Sequence, residues 1–243
     1  EKNNPRLGLN NHMYRITTRN PDKLIPMMDK TGFYGNREGI WWQFYETKKG
    51  VYALPERAAH THNLMKTHNI DQMLILQSGN SLYGTGLPVG EEYEAGFIEY
   101  VRNIVTEFKG EVDCYELLNE VNGSTQAGAD AQWYARLARA TYKTIKEIDP
   151  NIKLAIGSTA GTPLDWIKEV VVAAEGCFDE FSIHPYGMKT SPEVSGRYAS
   201  ILSIREILDE NGAEGIPINV SEMGWSTGWV DFVHQAAFNT QIY

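Results

Sequence analysis

The strongest constraint on this chain is a repeat. Short, uninterrupted apolar segments alternate with longer segments whose apolar residues recur at helical spacing. Met73-Leu74-Ile75-Leu76-Gln77 is the clearest short segment, and residues 91–108 show the longer kind, with Phe97, Val101, Ile104 and Phe108 on one face. A strand without polar alternation is buried on both sides, which calls for a parallel sheet covered by helices. Strands are expected near Leu7–Tyr14, Phe33–Gly39, Met73–Gln77, within Cys114–Gly123, at Lys153–Gly157, at Glu180–Gly187 and from Ile218 toward Trp225. Helices are expected from Asn20-Pro21-Asp22 to Thr31-Gly32, over Pro55–His68, Glu91–Phe108, Ala129–Ile148, Pro163–Ala174 and Ser195–Asn211, and from Phe232. No Gly-rich phosphate fingerprint follows the first strand, so the pattern predicts an α/β fold of the (β/α)8 TIM-barrel type. The expectation is one domain over 1–243, lacking the eighth strand.

Composition adds limits. At 243 residues the chain can bury a large core, and a net charge of −9 argues against nucleic acid or an anionic membrane as partner. No apolar run reaches membrane-spanning length and no signal peptide is present. A chain starting at Glu1 fits a mature secreted or periplasmic protein, or a trimmed one. The two cysteines, Cys114 and Cys177, fit either a disulfide or two buried thiols, with thiols expected.

Polar residues gather after the carboxyl ends of the strands, where barrel active sites lie. Cys114-Tyr115-Glu116-Leu117-Leu118-Asn119-Glu120 and Ile218-Asn219-Val220-Ser221-Glu222 each end by presenting a glutamate. If strand alternation holds, Glu116, Leu118 and Glu120 share one face, as do Ile218, Val220 and Glu222. Fourth and seventh strands lie across an eight-stranded barrel, so two carboxylates at their tops can face each other. The plainer alternative is a pair of exposed strand-end charges.

Asn119-Glu120 and Ser221-Glu222-Met223-Gly224-Trp225 resemble the two catalytic strand ends of glycoside hydrolase clan A. Gly8-Leu9-Asn10-Asn11-His12, Arg37, the Trp42…Glu46…Lys49-Gly50-Val51-Tyr52 run and His184-Pro185-Tyr186 extend the resemblance over nearly the whole chain, most closely to family 39. The resemblance implies a retaining glycosidase in which Glu120 is acid/base and Glu222 is nucleophile. Arg37 would then lie near Glu222, its alternative being an interior ion pair with Glu38 or Glu116. Asn119 would bond a sugar hydroxyl, Tyr186 or His184 would position the nucleophile, and Trp225 and Trp42 would offer sugar-stacking faces. His12 belongs to the implied substrate site. Val121 departs from the proline that many clan members carry after the acid/base.

The implied activity is hydrolysis of β-glycosidic bonds in poly- or oligosaccharides, with a carbohydrate as partner and neither cofactor nor metal. Alternatives are an inactive or incomplete carbohydrate-binding barrel and a metal-dependent barrel hydrolase, for which only His12 and His184 sit at strand ends. His60, His62 and His68 are expected as solvated helix positions without suitable acidic partners. No Gly-x-Ser-x-Gly elbow exists. The sequons at Asn122 and Asn219 read as accidental. Apolar edges left by a missing strand would promote self-association.

Overall fold

A computed structural model describes residues 7–33, 35–123, 129–186 and 189–242. Tyr34, Ser124, Gly187 and Tyr243, which belong to expected segments, lie outside the described residues. The elements in chain order are β1 (Gly8–Asn10), α1 (Pro21–Thr31), β2 (Gly35–Trp41), α2 (Trp42–Tyr45), β3 (Glu46–Lys48), β4 (Val51–Tyr52), α3 (Glu56–Thr67), β5 (Asp71–Gln77) and α4 (Glu91–Glu107). There follow β6 (Cys114–Leu117), α5 (Ala131–Ile148), β7 (Lys153–Ala160), α6 (Leu164–Ala174), β8 (Glu180–His184), α7 (Arg197–Glu210), β9 (Ile218–Val220) and α8 (Phe232–Ile242). Among the described residues seven strands belong to parallel pairing, and β3 and β4 form a separate antiparallel hairpin. The chain divides into two compact, interleaved units: Glu1–Asn119 with Ala140–Leu154, and Glu120–Arg139 with Ala155–Tyr243.

In the first unit β1, β2, β5 and β6 pair in parallel, β2 matching β5 from Gly35↔Asp71 to Trp41↔Gln77. Lys153 N donates to Asp113 O at 2.8 Å, which attaches the start of β7 beyond β6. The helix signals work as expected. Asn20 caps α1 by accepting from Asp22 N at 2.9 Å, Pro21 opens the helix, and Gly32 closes it in the left-handed conformation. Leu74, Ile75 and Leu76 of β5 and Phe97, Val101, Ile104 and Phe108 of the α4 segment are all buried. Each such side chain contributes about 1.5–3 kcal/mol on leaving water.

The second unit pairs β7, β8 and β9 in parallel, with Phe181, Ser182 and Ile183 opposite Ile218, Asn219 and Val220. Ile156, Phe181 and Ile183 pack its core with Ile167, Val170 and Ala174 of α6 and Ile204 and Leu208 of α7. β7 contains an irregularity: Gly157 pairs with Ser182 and Thr159 with Ile183, so Ser158 is an extra residue.

Several expectations need correction. The two glutamate-bearing strands are shorter than expected: β6 stops at Leu117 and β9 at Val220. Leu118 and Glu120 adopt φ of 59° and 52°, so strand alternation does not carry from Glu116 to Glu120. A non-glycine residue held there costs on the order of 1–3 kcal/mol, which the surrounding hydrogen bonds must offset. His62 is buried, because its α3 position shares the inner face with Ala58 and Met65. Its Nε2 lies 2.6 Å from Glu111, while His60 meets Asp22 at 3.0 Å and His68 meets Asp29 at 2.9 Å. The expected lack of acidic partners is therefore wrong. Cys114 and Cys177 form no disulfide and are half-buried rather than buried. No helix among the described residues is long and apolar enough to cross a membrane.

Candidate active site

The second unit brings together Glu120, His184, Tyr186 and Glu222. Its strand-end segments explain how. Because Leu118 and Glu120 are left-handed, the chain leaves β6 with its peptide turned, and Glu120 N donates to Ser158 O at 2.8 Å. His184 is the last residue of β8 and is fully buried, with its ring held at both nitrogens. Nδ1 lies 2.9 Å from Glu120 Oε1 and 3.9 Å from Glu222 Oε2. Nε2 lies 3.2 Å from Ser221 Oγ and 3.3 Å from Ser158 Oγ. Tyr186, two residues past β8, donates its hydroxyl proton to Glu222 Oε1.

One imidazole nitrogen thus faces both carboxylates. The two distances, 2.9 and 3.9 Å, place the facing oxygens within about 7 Å of each other, the range in which paired carboxylates act across one bond. The glutamates are partly open to solvent, with 31% of the Glu120 side chain exposed and 24% of Glu222. They combine ligand access with fixed orientation.

The first unit holds Arg37, Glu116 and Asn119 in a different arrangement. The Arg37 guanidinium donates Nε to Glu116 Oε2 at 2.7 Å and Nη2 to the same oxygen, and Nη2 also reaches Asn119 Oδ1 at 2.7 Å. Arg37 and Glu116 thus form a buried ion pair. The bond to Asn119 Oδ1 sets the amide orientation, so Nδ2 is the side-chain donor Asn119 can offer elsewhere. His12 follows β1 with φ 51°, and its carbonyl accepts from Ile16 N at 3.0 Å.

The two expected stacking faces are not open, and that expectation is corrected. Trp42 is fully buried among Tyr83, Tyr93, Phe97 and Tyr100, with Nε1 donating to Glu46 Oε2 at 2.5 Å. Glu46, also buried, further accepts from Gly50 N and Tyr83 Oη at 2.6 and 2.9 Å, so the aromatic run after β2 anchors the β3–β4 hairpin. Trp225 is buried as well, donating Nε1 to Thr190 O at 2.9 Å and packing on Phe238. Trp229, 42% exposed, sets its ring edge-on to Tyr186, whose hydroxyl meets Glu222, with ring centroids 6.4 Å apart. Trp229, Ser158 and Ser221 join the site without having been expected there. A Gly-Ser pair inside the apolar Lys153–Ala160 segment was the available signal for a bulge.

At neither sequon is the asparagine side chain unengaged. Asn122 exchanges two hydrogen bonds with the Ala160 backbone, and Asn219 donates to Glu180. No group of three or more metal-ligating side chains occurs among the described residues.

Parallel strands feeding helices, with two partly exposed carboxylates placed just beyond strand ends, are the arrangement of a (β/α)-barrel protein. No protein-family model and no curated protein matches the chain. Solved structures do. The chain is similar over its full length to a family 39 glycoside hydrolase from the gut symbiont Bacteroides cellulosilyticus WH2, with TM-score 0.84 and 23% identity. It spans about half that enzyme, 53% of its length. It is also similar to the endo-1,4-β-D-mannanase of Thermotoga petrophila RKU-1 (TM-score 0.71, 17% identity, 96% of this chain and 82% of that one). A third is the endoglucanase Cel5A of Thermotoga maritima (TM-score 0.72, 16% identity, 97% and 84%). These similarities establish the fold class as a TIM-like barrel lacking the last strand among the described residues.

Proposed function

We propose that the protein is a retaining glycoside hydrolase acting on β-glycosidic bonds of oligo- or polysaccharides, within a single catalytic domain. The observation that carries this reading is the shared imidazole: His184 Nδ1 contacts Glu120 at 2.9 Å and stands 3.9 Å from Glu222. Barrel similarity to a family 39 enzyme and to β-mannanase and endoglucanase structures supports the substrate class. In the first step Glu222 attacks the anomeric carbon while Glu120 gives its proton to the leaving glycosidic oxygen. In the second, Glu120 takes a proton from water, whose oxygen displaces Glu222 and frees the sugar. Tyr186 orients the nucleophile through its hydroxyl. Trp229 takes the stacking role first expected of Trp225 and Trp42. The chemistry requires no cofactor.

The test is turnover of aryl β-glycosides and of β-glucan, xylan and mannan by wild type, Glu120→Gln and Glu222→Gln. Glu222→Gln should lose on the order of 10⁴-fold or more in kcat. Glu120→Gln should lose about 10²–10⁴-fold on poor leaving groups, far less on activated ones, and azide should rescue it. Oligosaccharide binding without turnover by wild type would replace this reading with a carbohydrate-binding barrel.

The same unit exposes Val220, Trp229, Phe232 and Val233 near and after its β9 edge. Self-association through that apolar surface is the expected consequence. Sizing with light scattering at increasing concentration checks it, and a constant monomer mass would contradict it.

A further inference from the structure

β7 is bent where it meets the site. Gly157 (φ 97°) and Ser158 (φ 44°) break the extended ladder, and a side chain at 157 would place its Cβ 2.6 Å from Ser182 O. The bulge thus needs glycine at 157 and turns Ser158 out of register. Ser158 uses this orientation twice. Its carbonyl accepts from Glu120 N at 2.8 Å, and its hydroxyl lies 3.3 Å from His184 Nε2. Ser221, the residue before Glu222, brings a second hydroxyl to the same nitrogen at 3.2 Å.

Both Ser158 and His184 are fully buried, so Nε2 must find its partner within the protein. A hydroxyl can donate to a ring lone pair, whereas an ionised carboxylate can only accept. With Glu120 at one nitrogen and two hydroxyls at the other, the consistent neutral ring carries its proton on Nδ1.

We propose that the Ser158 bulge and Ser221 are positioning elements that hold His184 in the Nδ1-protonated tautomer, directed at Glu120 with Glu222 beside it. This inference rests on the two-carboxylate reading and deepens it. Backbone and carboxylate of Glu120 are then both referenced to Ser158, one directly and one through the ring. A proton donated into the carboxylate favours its ionised form, so the two hydroxyls govern how readily Glu120 protonates a leaving group. Neither serine touches substrate in this scheme.

Two measurements separate the inference from the glycosidase reading. Long-range ¹H–¹⁵N spectra of histidine-labelled protein need no substrate, and His184→Asn assigns the signal. Wild type should show Nδ1 protonated and Nε2 bare. The Ser158→Ala/Ser221→Ala pair should lose that pattern, and Ser221→Thr, which keeps a hydroxyl, should retain it. A neutral wild-type ring protonated on Nε2 overturns the proposal whatever the activity. In kinetics, the double alanine variant should move the alkaline limb of kcat/KM up by about one pH unit on poor leaving groups, with KM little changed. A uniform fall in kcat with both limbs fixed indicates loosened packing and overturns it. If wild type turns over no glycoside, the glycosidase reading falls while the spectra still decide the histidine's role.

Discussion

The two units handle glutamate in opposite ways. In the first, Glu116 of strand β6 is fully buried, where Arg37 grips it and Asn119 caps the guanidinium. Nearby in the same unit Glu38 and Glu46 are also buried, held by backbone N–H groups and by aromatic donors. In the second, Glu120 and Glu222 stand beyond strand ends, partly exposed, and their partners are a histidine and a tyrosine. Arginine neutralises a carboxylate and keeps it that way. Histidine and tyrosine orient a carboxylate and leave its charge available for chemistry. The contrast separates glutamates that build the protein from those proposed to act in it.

The largest test of this difference breaks the buried pair. Arg37→Ala strands the Glu116 charge and should destabilise folding by about 3–5 kcal/mol in urea denaturation. Glu120→Gln should cost little stability, since its site already reaches water. Equal losses in the two variants would erase the distinction.

Glu38 sharpens it through pH. Burial pushes its carboxyl up from 4.5 to about 7, against the lowering effect of N–H donors from Tyr14, Gly39 and Met13 and of the Arg19 charge. The folded state therefore holds a proton that the unfolded chain releases above about pH 4.5. Stability from this group falls as pH rises from about 4.5 to about 7, by at most about 3 kcal/mol, and is flat above. Glu38→Gln should remove that slope, as denaturation at pH 4, 6 and 8 would show.

A smaller effect is expected at Tyr186. Removing its hydroxyl in Tyr186→Phe deletes one charge-assisted hydrogen bond to Glu222, about 1.5–3 kcal/mol. That corresponds to a loss of roughly 10- to 100-fold in kcat/KM with unchanged melting. A shift in melting as large as that of Arg37→Ala would make Tyr186 a structural residue like those of the first unit.

Much of this architecture is legible in the amino-acid sequence. The α1 cap at Asn20, the buried face of α4 and the bare apolar core of β5 follow from local rules, because capping and periodicity depend on residues a few positions apart. Glu120 and Glu222 are identifiable because each closes an apolar run. Strand alternation does not extend to Glu120, however: Leu118 and Glu120 have positive φ, and their N–H groups donate to Leu76 O and Ser158 O, partners far away in the chain. Trp42 misleads for a related reason. An aromatic run after a strand suits either a ligand platform or a packed cluster, and only the presence of Tyr83, Tyr93, Phe97 and Tyr100 around it decides for packing. The partners of His62 are hidden from local rules because Gln72 and Glu111 come from other segments.

The sequence by itself determined the strand–helix order, the helix boundaries to within a few residues and the identity of the two paired carboxylates. These depend on backbone propensity, side-chain period and where apolar runs end, all short-range quantities. Tertiary structure decided the rest: which glutamate meets arginine and which meets histidine, which tryptophan remains exposed, and the bulge that turns Ser158 toward the site. Those outcomes depend on long-range hydrogen bonds and burial, where a residue's role is fixed by groups far away in the chain.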